Sequence, residues 1–174
     1  ENEQQKAAID NLVDYYKTGD LETFDDYSIA WLNDTTSTID FVNGFIEVYG
    51  DPMGLKGAYE SVLSVKDQEA SKRMAALSQN AQWFEDNSPI LAEHKKKDVT
   101  GISYKVITVV NEAGDAAPAT PIGINLPNSN WIRQAHGSKS VSLGNIIEAY
   151  ESAVSTGAVD EFYLGDSVRS RLKE

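Results

Sequence analysis

The sequence predicts an α+β fold, in which several helices accompany a small antiparallel β-sheet. Two hydrophobic patterns predict this class, since apolar residues recur at helical spacing from Gln4 to Leu32 and then alternate at strand spacing from Ile39. The third observation is the composition. A chain of 174 residues with 41% hydrophobic and 24% charged residues is long and apolar enough for one globular domain with its own core.

A helical hairpin is predicted to open the chain. The apolar residues from Gln4 to Tyr16 follow helical spacing, and Gly19 is placed to end that helix as its C-terminal cap. Asp20 can cap the start of a second helix over 21–32, because its carboxylate can accept a hydrogen bond from an amide of the first turn.

A strand hairpin is predicted to follow. The stretch 39–49 alternates as a strand does, so Glu47 is expected to share one face with Phe45 and Tyr49. A turn rich in Gly and Pro then leads to a second strand over 56–65.

Helices and strands alternate through the remaining sequence. Asp67 is the expected N-cap of one long helix over 68–85, which Ser88-Pro89 stops. Strands are predicted over 101–110 and 121–126. The spacing then predicts a helix from Ser142, and a last helix that starts near Val159 and reaches the end of the chain.

The charge balance argues against nucleic acid as a partner. The chain has 27 acidic and 15 basic residues, a net charge of −12, so its surface would repel a polyanion. The basic run His94 to Lys97 is short and contains no aromatic residue that could stack on a base.

Neither a membrane span nor a disulfide framework is expected. No stretch approaches the roughly 18 apolar residues that a membrane helix needs, the N-terminus is polar, and cysteine is absent. We expect a cytoplasmic protein. Because the sequence starts at Glu1 and its last predicted helix runs to Glu174, we also expect a segment of a longer chain.

Glu47 and Tyr49 are the first candidates for a binding site. Two residues apart on a strand, they can address a single extended ligand. A carboxylate suits a free ammonium group, and a phenol can donate a hydrogen bond to a carbonyl oxygen that becomes an oxyanion. The alternative is a solvent-facing Glu beside an interfacial Tyr.

The segment around Pro127 is the second candidate. Asn125 and Asn128 flank this proline at the end of an extended stretch, where an exposed strand edge could pair with a peptide and the two amides could fix its register. The alternative is an ordinary turn. Arg133 could bind a carboxylate or pair with one of the many acidic side chains.

The sequence contains no recognisable set of residues that could carry out catalysis by itself. The two histidines, His94 and His136, lack partners at a spacing that would place two metal ligands on one helical face, so no metal site is expected in this chain. A phosphate-binding loop and a serine nucleophile elbow are also missing from the sequence.

Three separated blocks of sequence carry a specific pattern. They are F-I-E-V-Y-G-D-P-M-G over 45–54, G-I-N-L-P-N with a later R-Q over 123–134, and V-S-L-G-N over 141–145. In this order they resemble the dipeptidyl-peptidase III family of zinc metallopeptidases. The motifs that bind zinc in that family, H-E-x-x-G-H and E-E-x-x-A-[DE], do not occur in this sequence.

The resemblance implies an exopeptidase that releases dipeptides from the N-terminus of oligopeptides. Glu47, with Asn125 and Asn128, would hold the N-terminal ammonium group and first residue of the substrate. Tyr49 would bind the scissile carbonyl oxygen, as the one contact of this chain with the reacting group.

The same resemblance implies where the rest of the peptide lies. The substrate would run antiparallel to the strand formed by Pro121, Ile122, Gly123 and Ile124, and Arg133 would bind its downstream end or support the cleft. Zinc would belong to the parent protein, bound by a helical lobe outside this chain, which is the second partner that we expect.

The family's two-lobed fold implies a division of this chain into four parts. Residues 1–66 would belong to a mixed substrate-binding lobe containing part of a β-barrel, and 67–103 would be a helical excursion toward the zinc lobe. Residues 104–145 would return to the strands and binding loop, and 146–174 would lead toward the zinc-binding helix. The chain alone is then expected to be inactive, because the residues that the resemblance assigns to it can bind a peptide but not hydrolyse it.

Two other interpretations remain open at this point. One is a peptide-binding or interaction module without catalysis, which keeps the cleft and lacks the metal. The other is a purely structural acidic helical domain, which has neither a cleft nor affinity for peptide.

Overall fold

The structure, a computed structural model, describes residues 2–47, 53, 57–99, 102–117 and 120–154. Six α-helices and five β-strands lie in this part of the chain. In order they are α1 (Glu3–Thr18), α2 (Leu21–Asn33), β1 (Ile39–Glu47), β2 (Ala58–Lys66), α3 (Gln68–Gln79), α4 (Ala81–Asp86), β3 (Ile102–Gly114), β4 (Gly123–Leu126), α5 (Asn130–His136), β5 (Ser138–Leu143) and α6 (Gly144–Val154).

The predicted helical hairpin is confirmed together with its caps. Gly19 ends α1 in the left-handed conformation, with φ of 71°, and its amide donates to the Tyr15 carbonyl at 2.7 Å. The Asp20 carboxylate accepts a hydrogen bond from the Glu22 amide and so caps α2. Local chemistry therefore sets where α1 ends and where α2 begins.

The five strands form one mixed sheet in the order β1-β2-β3-β5-β4. Its pairs are antiparallel except for β3 and β5, which run parallel. The predicted α+β class is confirmed, and the sheet differs from the expected antiparallel one in this single pair. The parallel pair is possible because β4 and α5 form the long connection that it requires.

The helix predicted over 68–85 is divided in two at Asn80. The predicted cap is confirmed, since the Asp67 carboxylate accepts a hydrogen bond from the Ala70 amide. At Asn80 the side-chain amide donates to the Ala76 carbonyl at 2.7 Å, and ψ opens to 12°. An asparagine that bonds its own helix backbone competes with the regular ladder, which ends α3 there.

The helix predicted from Ser142 begins later, at Gly144. Residues 138–143 form β5 instead, with Lys139, Val141 and Leu143 buried on alternate positions. This strand was missed because a buried lysine interrupts its apolar alternation. The helix predicted from Val159 lies outside the described residues.

The sheet curls so that both of its edge strands pack against α2. The main core cluster joins residues of α1, α2, β4 and α5, namely Ala8, Leu12, Tyr27, Trp31, Leu32, Leu126 and Ile132. Phe41, Val42 and Ile46 of β1 pack against the same cluster. Residues of the two outermost strands therefore share one core, as in a β-barrel that α2 closes.

A cluster of buried charges lies inside this curled sheet. Asp40 of β1 is 7% exposed and forms ion pairs with Lys139 of β5 at 3.4 Å and Lys105 of β3 at 3.8 Å. The indole Nε1 of Trp31 donates to the Asp40 carboxylate at 2.8 Å, and the Lys139 ammonium lies 4.1 Å from the centre of the Trp31 ring. One carboxylate thus connects three strands and a helix.

This buried cluster holds two positive charges and one negative charge, so one positive charge is left without compensation. Burial lowers the pKa of Lys139 to about 8, against the attraction of Asp40, and the charge of Lys105 lowers it further. Burial also lowers the pKa of Lys105. Both lysines therefore bind their protons less tightly in the folded chain than in the unfolded one.

We expect the free energy of unfolding to rise with pH above about 8 because of Lys139. Between its folded pKa of about 8 and its ordinary value of 10.5, the unfolded chain binds more protons than the folded chain, so stability increases up to about pH 10. The gain should be on the order of 2 kcal/mol. Urea unfolding from pH 7 to 10 measures it.

The Lys139→Met variant should show a smaller increase, because only the contribution of Lys105 remains, and Lys17→Met, an exposed lysine on α1, should keep the full increase. The comparison between variants also removes the opposite contribution of Tyr27, whose pKa burial raises. An identical pH dependence in the wild type and in Lys139→Met would contradict the prediction.

Candidate functional site

A β-bulge near the end of β1 decides where Glu47 lies. Phe45 pairs with Tyr59 of β2, but Glu47 pairs with Ala58, which leaves Ile46 as an extra residue. Paired residues share a sheet face, so Glu47 lies on the face of Ala58 and Glu60. The prediction that Glu47 shares a face with Phe45 is therefore wrong, because strict alternation does not survive a bulge.

The face that carries Glu47 borders a cleft of about 600 Å³. The cleft is lined by residues from β1, β2, the segment after β3 and β4. These are Val42, Glu47, Glu60, Val62, Asp115, Ala116, Pro121, Gly123, Ile124, Asn125, Leu126 and Asn128. Three of its side chains are acidic and two are asparagines, and no basic residue is among them.

The acidic side chains of the cleft affect one another. Partial burial raises the pKa of Glu60, and the nearby charges of Glu47 and Asp115 raise it further. The carboxylates thus form a concentrated negative region that would favour a cation between them. Sequence reasoning missed Glu60 and Asp115, because finding them requires the register of β2 and the course of the loop after β3.

Gly114 brings Asp115 to this site. It has φ of 68°, and a Cβ at this position would lie 2.0 Å from the Tyr59 carbonyl oxygen. Only glycine permits this approach, after which the Asp115 amide donates to the same Tyr59 oxygen at 3.0 Å. A glycine directly before an aspartate was the only sequence signal for this contact.

Glu47 and Asn128, which are 81 positions apart, meet at the cleft. The side-chain amide of Asn128 donates to the Glu47 carboxylate at 3.3 Å and to the Ile46 carbonyl at 3.4 Å. This contact joins the end of β1 to the second residue after β4. The two candidates chosen from the sequence therefore lie side by side.

The other residues predicted on the strand segment line the same cleft or lie next to it. Gly123, Ile124 and Asn125 line the same cleft on β4. The Asn125 side-chain oxygen accepts a hydrogen bond from the Ser140 hydroxyl at 3.5 Å, and Ile122, just before β4, is exposed. All four belong to the strand segment that was expected to hold a peptide.

Arg133 and Tyr49 are not part of the described cleft. Arg133 is exposed on α5 and is not among the residues that line the cavity. Tyr49 lies outside the described residues, so its predicted role stays a prediction.

A smaller apolar pocket of about 140 Å³ adjoins the cleft. Val42, Leu126 and Asn128 line both, and the pocket continues toward the aromatic side chains of α2, including Tyr27 and Trp31. The acidic cleft therefore opens beside an apolar surface, as suits a ligand that carries both a charge and a hydrophobic side chain.

The described residues offer no donor set that fits zinc. None of the histidine, aspartate and glutamate side chains in this part of the chain form a group of three or more that could hold a metal ion. The carboxylates of the cleft have no histidine among them. Within the same residues, no helix is long and apolar enough to cross a membrane.

Comparison with known proteins identifies the family. The model of peptidase family M49 matches residues 1–162, which is most of the chain. The protein belongs to peptidase family M49. The resemblance to dipeptidyl-peptidase III that the three sequence blocks carry is thereby confirmed.

Relatives of this M49 chain are much longer than it. Dipeptidyl peptidase 3 of Nematostella vectensis is 32% identical over 151 residues, which cover 87% of this chain and 20% of the relative. The protein of the same name from Dictyostelium discoideum is 32% identical over 148 residues, covering 85% and 21%. The M49 chain thus spans about a fifth of these curated relatives.

The fold of the M49 chain is also that of a solved relative. The structure of DPP III from Caldithrix abyssi matches with a TM-score of 0.76 and 28% identity, over 87% of this chain and 29% of the solved chain. The curled mixed sheet and its helices are therefore a known part of a larger peptidase fold.

We expect the pKa of Glu60 to fall when Glu47 loses its charge. In Glu47→Gln the repulsion that raises this pKa is removed, so the titration midpoint of Glu60 should move toward its ordinary value. Carboxyl ¹³C NMR across pH 3 to 8 measures the midpoint. Glu22→Gln, an exposed site on α2, is the control that should leave it unchanged, and an unmoved Glu60 midpoint in Glu47→Gln would show that the two carboxylates do not interact.

Proposed function

We propose that this chain forms the peptide-binding half of the cleft of a zinc exopeptidase that releases dipeptides from the N-terminus of oligopeptides. The observation that carries this proposal is the contact between Glu47 and Asn128 in a cleft that also holds Glu60 and Asp115. Membership of peptidase family M49 supports peptide as the ligand.

The acidic cluster suits the ammonium group of a peptide N-terminus. An ammonium group has three donors and no acceptor, and the carboxylates with the Asn128 carbonyl oxygen can accept all three hydrogen bonds. Because the cleft is partly shielded from water, a charge pair there is stronger than at an open surface. A blocked N-terminus lacks this charge and would leave the carboxylates repelling one another.

The strand β4 supports the peptide backbone. It is an edge strand, and the carbonyl of Ile122 accepts from the Leu143 amide of β5 at 3.0 Å. Hydrogen-bonding direction alternates along an antiparallel pair, so Gly123 and Asn125 direct their backbone groups away from β5. An extended peptide can pair with these groups whatever its side chains are.

This arrangement would set the cleavage position by its distance from the peptide N-terminus. With the ammonium group fixed at Glu47 and the backbone fixed along β4, the position of each following peptide bond is set. Tyr49 is proposed to bind the carbonyl oxygen of the bond to be cleaved, and Arg133 to act toward the downstream end. Zinc is proposed to bind in the helical lobe of the parent protein. Hydrolysis of the peptide bond would then also take place at that lobe.

The proposed role of Glu47 predicts selective binding of free N-termini. A pentapeptide with a free α-amino group should bind the 174-residue chain, and its N-acetylated form should bind at least tenfold more weakly, since a charge-assisted hydrogen bond contributes about 1.5 to 3 kcal/mol. Isothermal titration calorimetry at pH 7 measures both affinities.

The variants Glu47→Gln and Glu22→Gln make a matched pair, because each removes one negative charge and only Glu47 lines the cleft. Glu47→Gln should abolish the preference for the free amino group, whereas Glu22→Gln should retain it. Equal affinity of the wild type for both peptides would overturn the proposed site. Absence of binding for either peptide would favour a structural role for the domain.

A further inference from the structure

One wall of the peptide cleft is formed by the connection between β3 and β4. These strands are not neighbours, because β5 lies between them in the sheet. The structure describes residues 115–117 and 120–122 of the connection, and Asp115, Ala116 and Pro121 among them line the cavity. The placement of this connection therefore affects the shape of the cleft near the start of β4.

Backbone hydrogen bonds fix both ends of this connection. At its start, the Ala117 amide donates to the Gly114 carbonyl at 3.1 Å, which closes a turn. At its end, the Ile122 carbonyl accepts from the Leu143 amide of β5 at 3.0 Å. Pro121, which lines the cleft, lies between these two points.

A hydrogen bond between two side chains holds the residue before Pro121. The Thr120 hydroxyl donates to Oε2 of Glu112 at 2.8 Å, and both residues are half-buried. A hydroxyl that donates to a carboxylate forms one of the stronger hydrogen bonds found in proteins. This bond ties the later part of the connection to β3.

Glu112 lies next to the cleft without lining it. It pairs with Val62 of β2, so its side chain projects from the sheet face on which Val62 lines the cavity. Oε1 of Glu112 is buried and has no hydrogen-bond partner among the described residues. Loss of the Thr120 hydroxyl would thus leave neither carboxylate oxygen with a donor from this part of the chain, which is unfavourable for a partly buried carboxylate.

We propose that Glu112 and Thr120 are positioning residues for the downstream part of a bound peptide. This inference rests on the proposed function, in which the peptide ammonium group lies at Glu47 and Asn128. Asn128 follows the C-terminal end of β4, so an extended peptide that starts there runs along β4 toward Pro121.

The length of the peptide decides whether it reaches this support. Pro121 is seven positions before Asn128. A peptide and the strand beside it both rise by about 3.3 Å per residue, so an octapeptide is long enough to reach Pro121 and a dipeptide is not. Without the Thr120 hydroxyl, Pro121 and the start of β4 are less firmly held, and a long peptide has to order them when it binds. The contacts of the ammonium group at the other end of β4 stay the same.

The experiment compares two peptides on the 174-residue chain by isothermal titration calorimetry. One is an octapeptide with a free N-terminus, the other is the dipeptide formed by its first two residues, and both are C-terminally amidated. Thr120→Val removes the hydroxyl and keeps the shape of the side chain. We expect this variant to bind the octapeptide at least fivefold more weakly and the dipeptide less than twofold more weakly. Partial unfolding would instead lower the number of sites per chain for both peptides.

Further variants test whether the hydrogen bond itself is responsible. Thr120→Ser keeps the hydroxyl and should bind the octapeptide within twofold of the wild type. Glu112→Met should weaken octapeptide binding as much as Thr120→Val does, and the double variant should lose no more than either, because both changes remove the same interaction. Thr23→Val is the matched control. It removes a hydroxyl that donates to the Asp20 carboxylate at 3.2 Å on α2, and it should change neither affinity.

The outcomes separate this inference from the proposed function. Octapeptide binding that is unchanged in Thr120→Val, or an equal loss of affinity for both peptides, would overturn the positioning role while leaving the ammonium site at Glu47 in place. A wild type that binds an N-acetylated octapeptide as tightly as the free one would overturn the proposed function, and with it the direction of the peptide on which this inference rests.

Discussion

Asp40 holds together strands that are not neighbours in the sheet. It belongs to the edge strand β1, and its lysine partners are on β3 and β5, so the ion pairs cross the inside of the curled sheet. Trp31 adds α2 to the same carboxylate. Removing one partner of a buried pair leaves an uncompensated charge, which is far more costly than breaking a surface pair. The curvature that brings β1 near β4, and hence Glu47 near Asn128, depends on this cluster.

The peptide cleft depends on departures from regular strand geometry. The bulge at Ile46 turns Glu47 onto the face of Glu60, and Gly114 brings Asp115 toward the same point. Without the bulge, Glu47 would lie on the face that carries Phe45 and Tyr59. Such irregularities commonly redirect a side chain next to a functional site, and here they gather carboxylates that a regular sheet would keep apart.

Features that have local causes could be predicted from the sequence. The caps at Asp20 and Asp67 and the left-handed Gly19 follow from the chemistry of a few neighbouring residues, and the family followed from three short blocks. The break at Asn80 comes from a side chain that bonds its own helix backbone at Ala76, an alternative that the apolar spacing does not reveal. The parallel strand β5 and the bulge at Ile46 could not be predicted because each depends on contacts with residues of another strand. The strand β5 was hidden because Lys139, an ordinary surface residue by type, is 1% exposed.

The length of β4 has a consequence for the solubility of the protein. An open strand edge can recruit a second sheet and so begin aggregation. Here the edge spans only Gly123–Leu126, with Pro121 shortly before it and Pro127 directly after it. Proline has no amide hydrogen to continue a ladder, so the edge cannot be extended in either direction. An edge of four residues is therefore too short to serve as a template for polymerisation.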